Sequence, residues 1–217
     1  MTDGGMGERP GRSRHDGGPS FDLLAAKLRP PQARPGTVRR SSLIEKLARE
    51  NSGPIVSVVA PAGYGKTTLL SQWAERNGQA FAWVSVDEAD NDPKVLLTYV
   101  AQALDAVEPI DERVFDALAA PASSVPGSVV PQLSSAFWSM ASPVALVLDD
   151  VHLLHDQQCR AAVGALADHV PNGSRLALTS RTRLHRSSQA ADKPAKRASR
   201  ASEVLGQHKL PGPGQQH

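Results

Sequence analysis

Residues 60–68 read APAGYGKTT, and four of them, Gly63, Gly65, Lys66 and Thr67, match the second half of the phosphate-loop pattern G-x-x-x-x-G-K-[ST]. Ala60 stands where the first glycine of that pattern belongs. Gly63 and Gly65 permit backbone dihedrals and a close approach that a side chain would block. The successive amides of Ala62, Gly63, Tyr64 and Gly65 can form an anion nest, and the following helix N-terminus adds its partial positive charge. Lys66 is placed to reach β- and γ-phosphates, the Thr67 hydroxyl to bind Mg²⁺, and Thr68 to bond a phosphate one step back. A glycine turn before an ordinary helix, with a solvated lysine, would give a bare G-K-T. Here the loop follows a five-residue apolar run, 55–59, and opens a helical segment, which is the context the motif requires.

A second chemical signal lies about eighty residues downstream. The apolar run Val144–Leu148 ends in Asp149 and Asp150. A buried parallel strand brings its C-terminal residues beside such a loop, where Asp149 would serve the metal. Asp150 would then polarise the attacking water as a base or merely position it. Alone, a strand followed by an acidic turn is common; the pairing with the loop gives it weight. Arg181 leaves a further strand-like run and can sense a γ-phosphate or face solvent; its spacing allows both. His152 reads as a surface or packing histidine, and Trp83 as core.

These residues need elements to hold them. Ser42 and Glu45 stand at capping-box spacing before the stripe Leu43, Ile44 and Leu47, which predicts a helix. The β-branched run 55–59 predicts a buried strand, and Leu69–Arg76 a helix. Phe81–Val86 predicts a second strand. Asp92 and Pro93 predict a capped helix start, continued by apolar residues at helical spacing from Val95 to Leu104. Residues 121–127 read as a linker, followed by a helix over about 128–140 with Pro131 in its first turn. Val144–Leu148 is the third strand, 157–170 a helix and Arg175–Thr179 the fourth strand. Strands alternating with helices imply a parallel sheet flanked by helices, an α/β fold.

Composition sets the outer limits. The chain has 217 residues, which suits one domain with appendages. Its single cysteine, Cys159, forms no internal disulfide, so an oxidising compartment finds no support. No apolar run approaches the roughly 18 residues of a membrane helix, and the first twenty residues lack the apolar core of a secretory signal. The expected location is the cytoplasm, with no membrane partner. The formal net charge of +2 is unevenly spread: +4 over residues 1–40, −8 over 41–180 and +6 over 181–217. The basic ends are rich in Gly, Pro and Ser and nearly free of aromatics, so they read as solvated tails rather than a nucleic-acid surface. The expected organisation is a disordered tail over 1–21, a nucleotide-binding domain over 22–181 and a basic low-complexity tail over 182–217. After Arg181 the composition reads as a fold cut short or a changed reading frame.

Taken together, the segments KLRPP (27–31), PGTVRRSSLIEKL (35–47), APAGYGKTTLLSQW (60–73), FAWVSVDEADNDP (81–93), VALVLDDVHLL (144–154) and LALTSR (176–181) resemble the nucleotide-binding domain of STAND-class ATPases. The likeness is to LuxR-type transcriptional regulators built like the maltose-regulon activator, and it covers roughly residues 22–181. The resemblance implies a P-loop NTPase fold with an AAA-like core. It implies Val38 and Arg40 near the adenine, Lys66, Thr67 and Thr68 on the phosphates, and Asp149 on Mg²⁺. It implies Asp150 as the catalytic acidic residue and Arg181 as the γ-phosphate sensor. Family members switch between an ADP-held monomer and an ATP-bound, self-associating activator. The family's winged-helix, sensor and helix-turn-helix domains find no counterpart in this sequence, so specific DNA binding is not expected of it. In this class the first strand lies between the fourth and a fifth; without the fifth, it becomes an exposed apolar edge.

Three functions compete on this reading. The first is an ATP- and ADP-binding, Mg²⁺-dependent module of such a regulator with weak or no turnover. The second is a small stand-alone P-loop ATPase or kinase. The third is a non-enzymatic fragment that associates with itself or with a full-length relative.

Overall fold

The computed structural model describes residues 25–32, 37–48 and 53–182. The expected tail over 1–21, and all but Thr182 of the expected tail over 182–217, lie outside the described residues. Among the described residues, four strands form one parallel sheet: β1 (Ile55–Val59), β2 (Ala80–Ser85), β3 (Val144–Asp149) and β4 (Arg175–Ser180), in the order β1-β4-β3-β2. The α-helices that accompany them there are α1 (Ser41–Ala48), α2 (Lys66–Asn77), α3 (Pro93–Asp105), α4 (Arg113–Ala119), α5 (Val130–Trp138) and α6 (Gln157–Asp168).

The strands are apolar on both sides because helices cover both faces. On β3, Val144, Leu146 and Leu148 enter a core with α3, α4, α5 and α6, while Ala145 and Val147 face the opposite core. That second core joins Ile44 and Leu47 of α1 to Leu69, Leu70 and Trp73 of α2. The Trp73 and Phe81 rings meet there edge to face at 5.0 Å. Trp83 is buried as expected, its indole N–H donating to Ser85 Oγ at 2.9 Å.

Register aligns the functional ends. Val59 pairs with Ser180, Leu148 with Leu178, and Ser85 with Asp149. The strand C-termini therefore form one rim, from which the glycine loop, the acidic pair and Arg181 all depart. Among the described residues β1 has no neighbour on its outer side, and Val59 is 40% exposed.

Several local expectations need correction. Helix α1 begins at Ser41, so Ser42 and Glu45 both lie inside the helix and form no capping box. The main chain turns instead at Arg40, whose carbonyl accepts from Leu43 and Ile44. Helix α2 starts at Lys66 rather than Leu69, immediately after the left-handed Gly65. The segment 121–127 is not all linker: Val125–Val129 forms a π-helical turn, capped by the Ser124 hydroxyl, that runs into α5. Helix α4 was not foreseen. The remaining boundaries agree within about two residues, including Asp92 capping α3 through Lys94 and Val95.

A candidate nucleotide site at the sheet rim

The loop after β1 makes its turn through Gly63, at φ 80°, and Gly65, at φ 74°. Both lie in the left-handed region, where a side chain is strained. Gly65 then serves as N-cap of α2 without any side-chain cap. The helix thus begins with amides that have no intrahelical acceptor, directed into the loop that precedes it.

Lys66 is buried, at 7% exposure, and its ammonium donates to the carbonyls of Ala60 at 3.0 Å and Pro61 at 3.4 Å. These are neutral acceptors in a position where charge is expensive to enclose. Thr67, one residue on, donates from Oγ1 to Asp149 Oδ2 at 2.6 Å across 82 residues of sequence. This bond joins the glycine loop to the acidic strand end. Thr68 is half-buried on the same first turn.

Asp149 is buried at 4% exposure, and that burial pushes its carboxyl above the usual carboxylate range, against hydrogen bonds from Thr179 and Thr67 that pull it down. Thr179 on β4 escaped sequence reasoning. Its hydroxyl donates to Asp149 Oδ1 and accepts from the Asp150 amide at 2.7 Å, so one side chain holds both acids. Asp150 adopts φ 61°, ψ 38°, the only positive φ of a non-glycine among the described residues. Such strain persists where the surroundings over-determine it.

Gln72, also missed, ties the incoming segment to α2. Its carboxamide donates to the Val38 carbonyl at 3.1 Å and accepts from the Arg40 amide at 3.1 Å. The Val38 side chain is left 65% exposed. The Arg40 guanidinium lies 3.6 Å from where a Cβ on Gly65 would stand, so it rests against the phosphate loop. Arg181 is exposed, one residue past β4. Its charge is felt at His152, as are those of Lys66, Asp150 and Asp149. The structure therefore gathers Ala62–Thr68, Asp149, Asp150 and Arg181 at one rim, with Val38 and Arg40 beside α2.

The donor chemistry fits Mg²⁺. Thr67 Oγ1 and the Asp149 carboxylate are hard oxygen ligands held within a hydrogen bond of each other, and Mg²⁺ sites use few protein ligands. Among the described residues no cluster of three or more His, Cys, Asp or Glu could hold a metal by itself.

A parallel α/β sheet flanked by helices, with this loop at its rim, is the fold of P-loop NTPases. The AAA ATPase domain model matches residues 39–179, and the chain belongs to that family. It is 32% identical over 166 residues to the HTH-type transcriptional regulator MalT of Klebsiella pneumoniae, covering 73% of this chain and 18% of that protein. The corresponding values for MalT of Serratia proteamaculans are 34% over 165 residues, 74% and 18%. The serine/threonine-protein kinase PknK of Mycobacterium tuberculosis matches at 30% over 179 residues, 78% of this chain and 16% of the kinase. The chain thus corresponds to under a fifth of the length of each of these relatives. No helix among the described residues is long and apolar enough to cross a membrane.

Proposed function

We propose that this chain is the ATP- and ADP-binding, Mg²⁺-dependent module of a LuxR-type STAND regulator, with slow turnover, and that residues 22–181 are its nucleotide-binding unit. The observation that carries the reading is the Thr67–Asp149 hydrogen bond, which sets metal-type oxygens beside a buried lysine and an open nest of amides. Lys66 would leave the Ala60 and Pro61 carbonyls for the β- and γ-phosphates, a stronger, charge-assisted partner. The amides of Ala62–Gly65 and the start of α2 would hold the remaining phosphate oxygens. Arg40 would lie along the loop on the nucleoside side with Val38, and Arg181 would approach the terminal phosphate. Bound Mg²⁺ supplies charge neutralisation and orients the triphosphate; Thr67 and Asp149 would hold it. Asp150 would orient the attacking water. The partners on this reading are nucleotide and a second copy or a longer relative, with no membrane and no sequence-specific DNA contact.

Calorimetry with Mg-ATP and Mg-ADP on the parent and on Lys66→Ala tests the assignment. The expected result is binding by the parent and at least about a tenfold loss in the variant, equivalent to 1.4 kcal/mol, with the fold retained. Equal affinity in both proteins overturns it.

A further inference from the structure

His152 does not behave as the packing residue its position suggests. Its side chain is only 12% exposed, both ring nitrogens are buried, and neither has a hydrogen-bond partner. Buried polar atoms are nearly always paired, so an orphan pair marks a cost that an apolar ring would avoid. Nδ1 lies 3.6 Å from Asp150 Oδ1, about half an ångström beyond hydrogen-bond length.

The backbone, rather than the ring, sets this position. His152 sits in a 3₁₀ turn, Val151–Leu153, that begins directly after the strained Asp150. Leu153 donates to the Asp150 carbonyl at 3.0 Å, and the Leu153 carbonyl accepts from Asn91 Nδ2 at 2.9 Å. The turn is thus fastened at both sides while the ring is left free to face the acid. The charges acting on it are Asp150, Asp149, Lys66 and Arg181. Burial is the largest influence and keeps the imidazole below its ordinary pKa despite the two carboxylates. The ring is therefore neutral, with one donor and one acceptor nitrogen.

We propose that His152 is the positioning residue for Asp150, presenting Nδ1–H to its carboxylate and fixing the direction in which that carboxylate faces the rim. This rests on the reading of Asp150 as the acid that orients water. A neutral donor suits this role. An imidazolium would form an ion pair and neutralise the carboxylate, whereas a single neutral hydrogen bond orients it and leaves its charge. The proton stays on the ring throughout, so no further reactant is needed.

The test has two readouts on the full chain. The first is ring-nitrogen NMR of histidine-labelled protein without nucleotide at neutral pH, with His152 assigned by its loss in His152→Asn. The expected spectrum shows a neutral ring protonated on Nδ1, with a resonance that moves in Asp150→Asn. Protonation on Nε2, or indifference to Asp150→Asn, overturns the proposal. The second is ATP turnover. His152→Ala should lower kcat roughly tenfold to a hundredfold with KM nearly unchanged, and His152→Asn, which keeps a donor near the Nδ1 position, should recover most of it. Full kcat in His152→Ala, or no recovery in His152→Asn, also overturns it. Failure of the nucleotide reading would show separately, as binding indifferent to Lys66→Ala, because the tautomer is read with the site empty of nucleotide.

Discussion

Lys27 and Asp90, 63 residues apart, meet in a buried ion pair in which both carboxylate oxygens lie 2.6 Å from the ammonium. Asp90 is completely enclosed, Asp87 adds a second carboxylate at 3.1 Å, and the Tyr99 ring lies 4.4 Å beneath the charge. The pair fastens the 3₁₀ turn Ala25–Leu28 to the acidic turn Glu88–Asp90, whose neighbour Asn91 in turn holds the segment after Asp150. Lys27→Met should leave Asp90 charged and unpaired, costing about 3–5 kcal/mol in denaturant unfolding. Lys27→Met with Asp90→Leu should cost clearly less. A single-variant loss below about 1 kcal/mol would contradict this account.

The same pair makes stability depend on alkaline pH. Burial, the largest single influence, lowers the Lys27 pKa, but the hydrogen bonds and negative charges of Asp90 and Asp87 together outweigh it and hold the group above its ordinary 10.5. A raised folded-state pKa gives stability that is fully present below the unfolded value and lost as pH rises through the folded one. Melting temperature should therefore fall above the ordinary lysine range, and Lys27→Met should flatten that fall. An equal decline in parent and variant would assign it to other groups.

Asp149 carries the opposite sign from most carboxylates. Its folded pKa is raised by burial, so its ionised form costs stability at neutral pH, and the cost disappears as pH falls through the folded pKa. Asp149→Asn should melt higher at neutral pH by about 2–4 °C, corresponding to roughly 1 kcal/mol, and the gain should shrink on acidification. Mg²⁺-dependent nucleotide affinity should fall in the same variant. Lower melting at neutral pH would show that the bonds from Thr67 and Thr179 outweigh the desolvation.

Among the described residues the sheet has an open side at β1. Its outer backbone groups and the exposed Val59 offer a template for pairing with another strand. Val59→Lys should shift sedimentation velocity profiles toward monomer at high concentration, since a charged edge resists strand addition. An unchanged distribution would place any self-association elsewhere.

What was legible in the sequence divides by range. The loop, its strand and the acidic pair could be read because each is a contiguous segment whose residue types are dictated locally. Gln72 and Thr179 could not, because their roles are bonds across 34 and 29 residues that no local pattern encodes. Helix α4 escaped for a different reason: seven residues give under two turns of periodicity. The capping box of Ser42 and Glu45 failed because the pattern fits any serine three residues before a glutamate, while the helix start was set by Arg40.

Turnover should be slow, and Arg181 gives the reason. Phosphoryl transfer in P-loop proteins relies on charges held rigidly around the terminal phosphate. Lys66 and Asp149 are held so: each is buried and bonded to the loop or its neighbours. Arg181 is exposed, in a bend just beyond β4. A side chain without packing spends much of its time away from the phosphate, and its charge is screened by water. Losing a fixed donor of this kind costs on the order of a hundredfold in rate. Phosphate release should therefore run below about 1 per second, under the usual enzyme range. Arg181→Ala should reduce it by less than about tenfold, because the parent already lacks most of the benefit. Asp150→Asn should abolish it and so separate it from contaminating activity. Brisk turnover lost in both variants would show that Arg181 is ordered by the nucleotide itself, and that this four-stranded unit is catalytically sufficient.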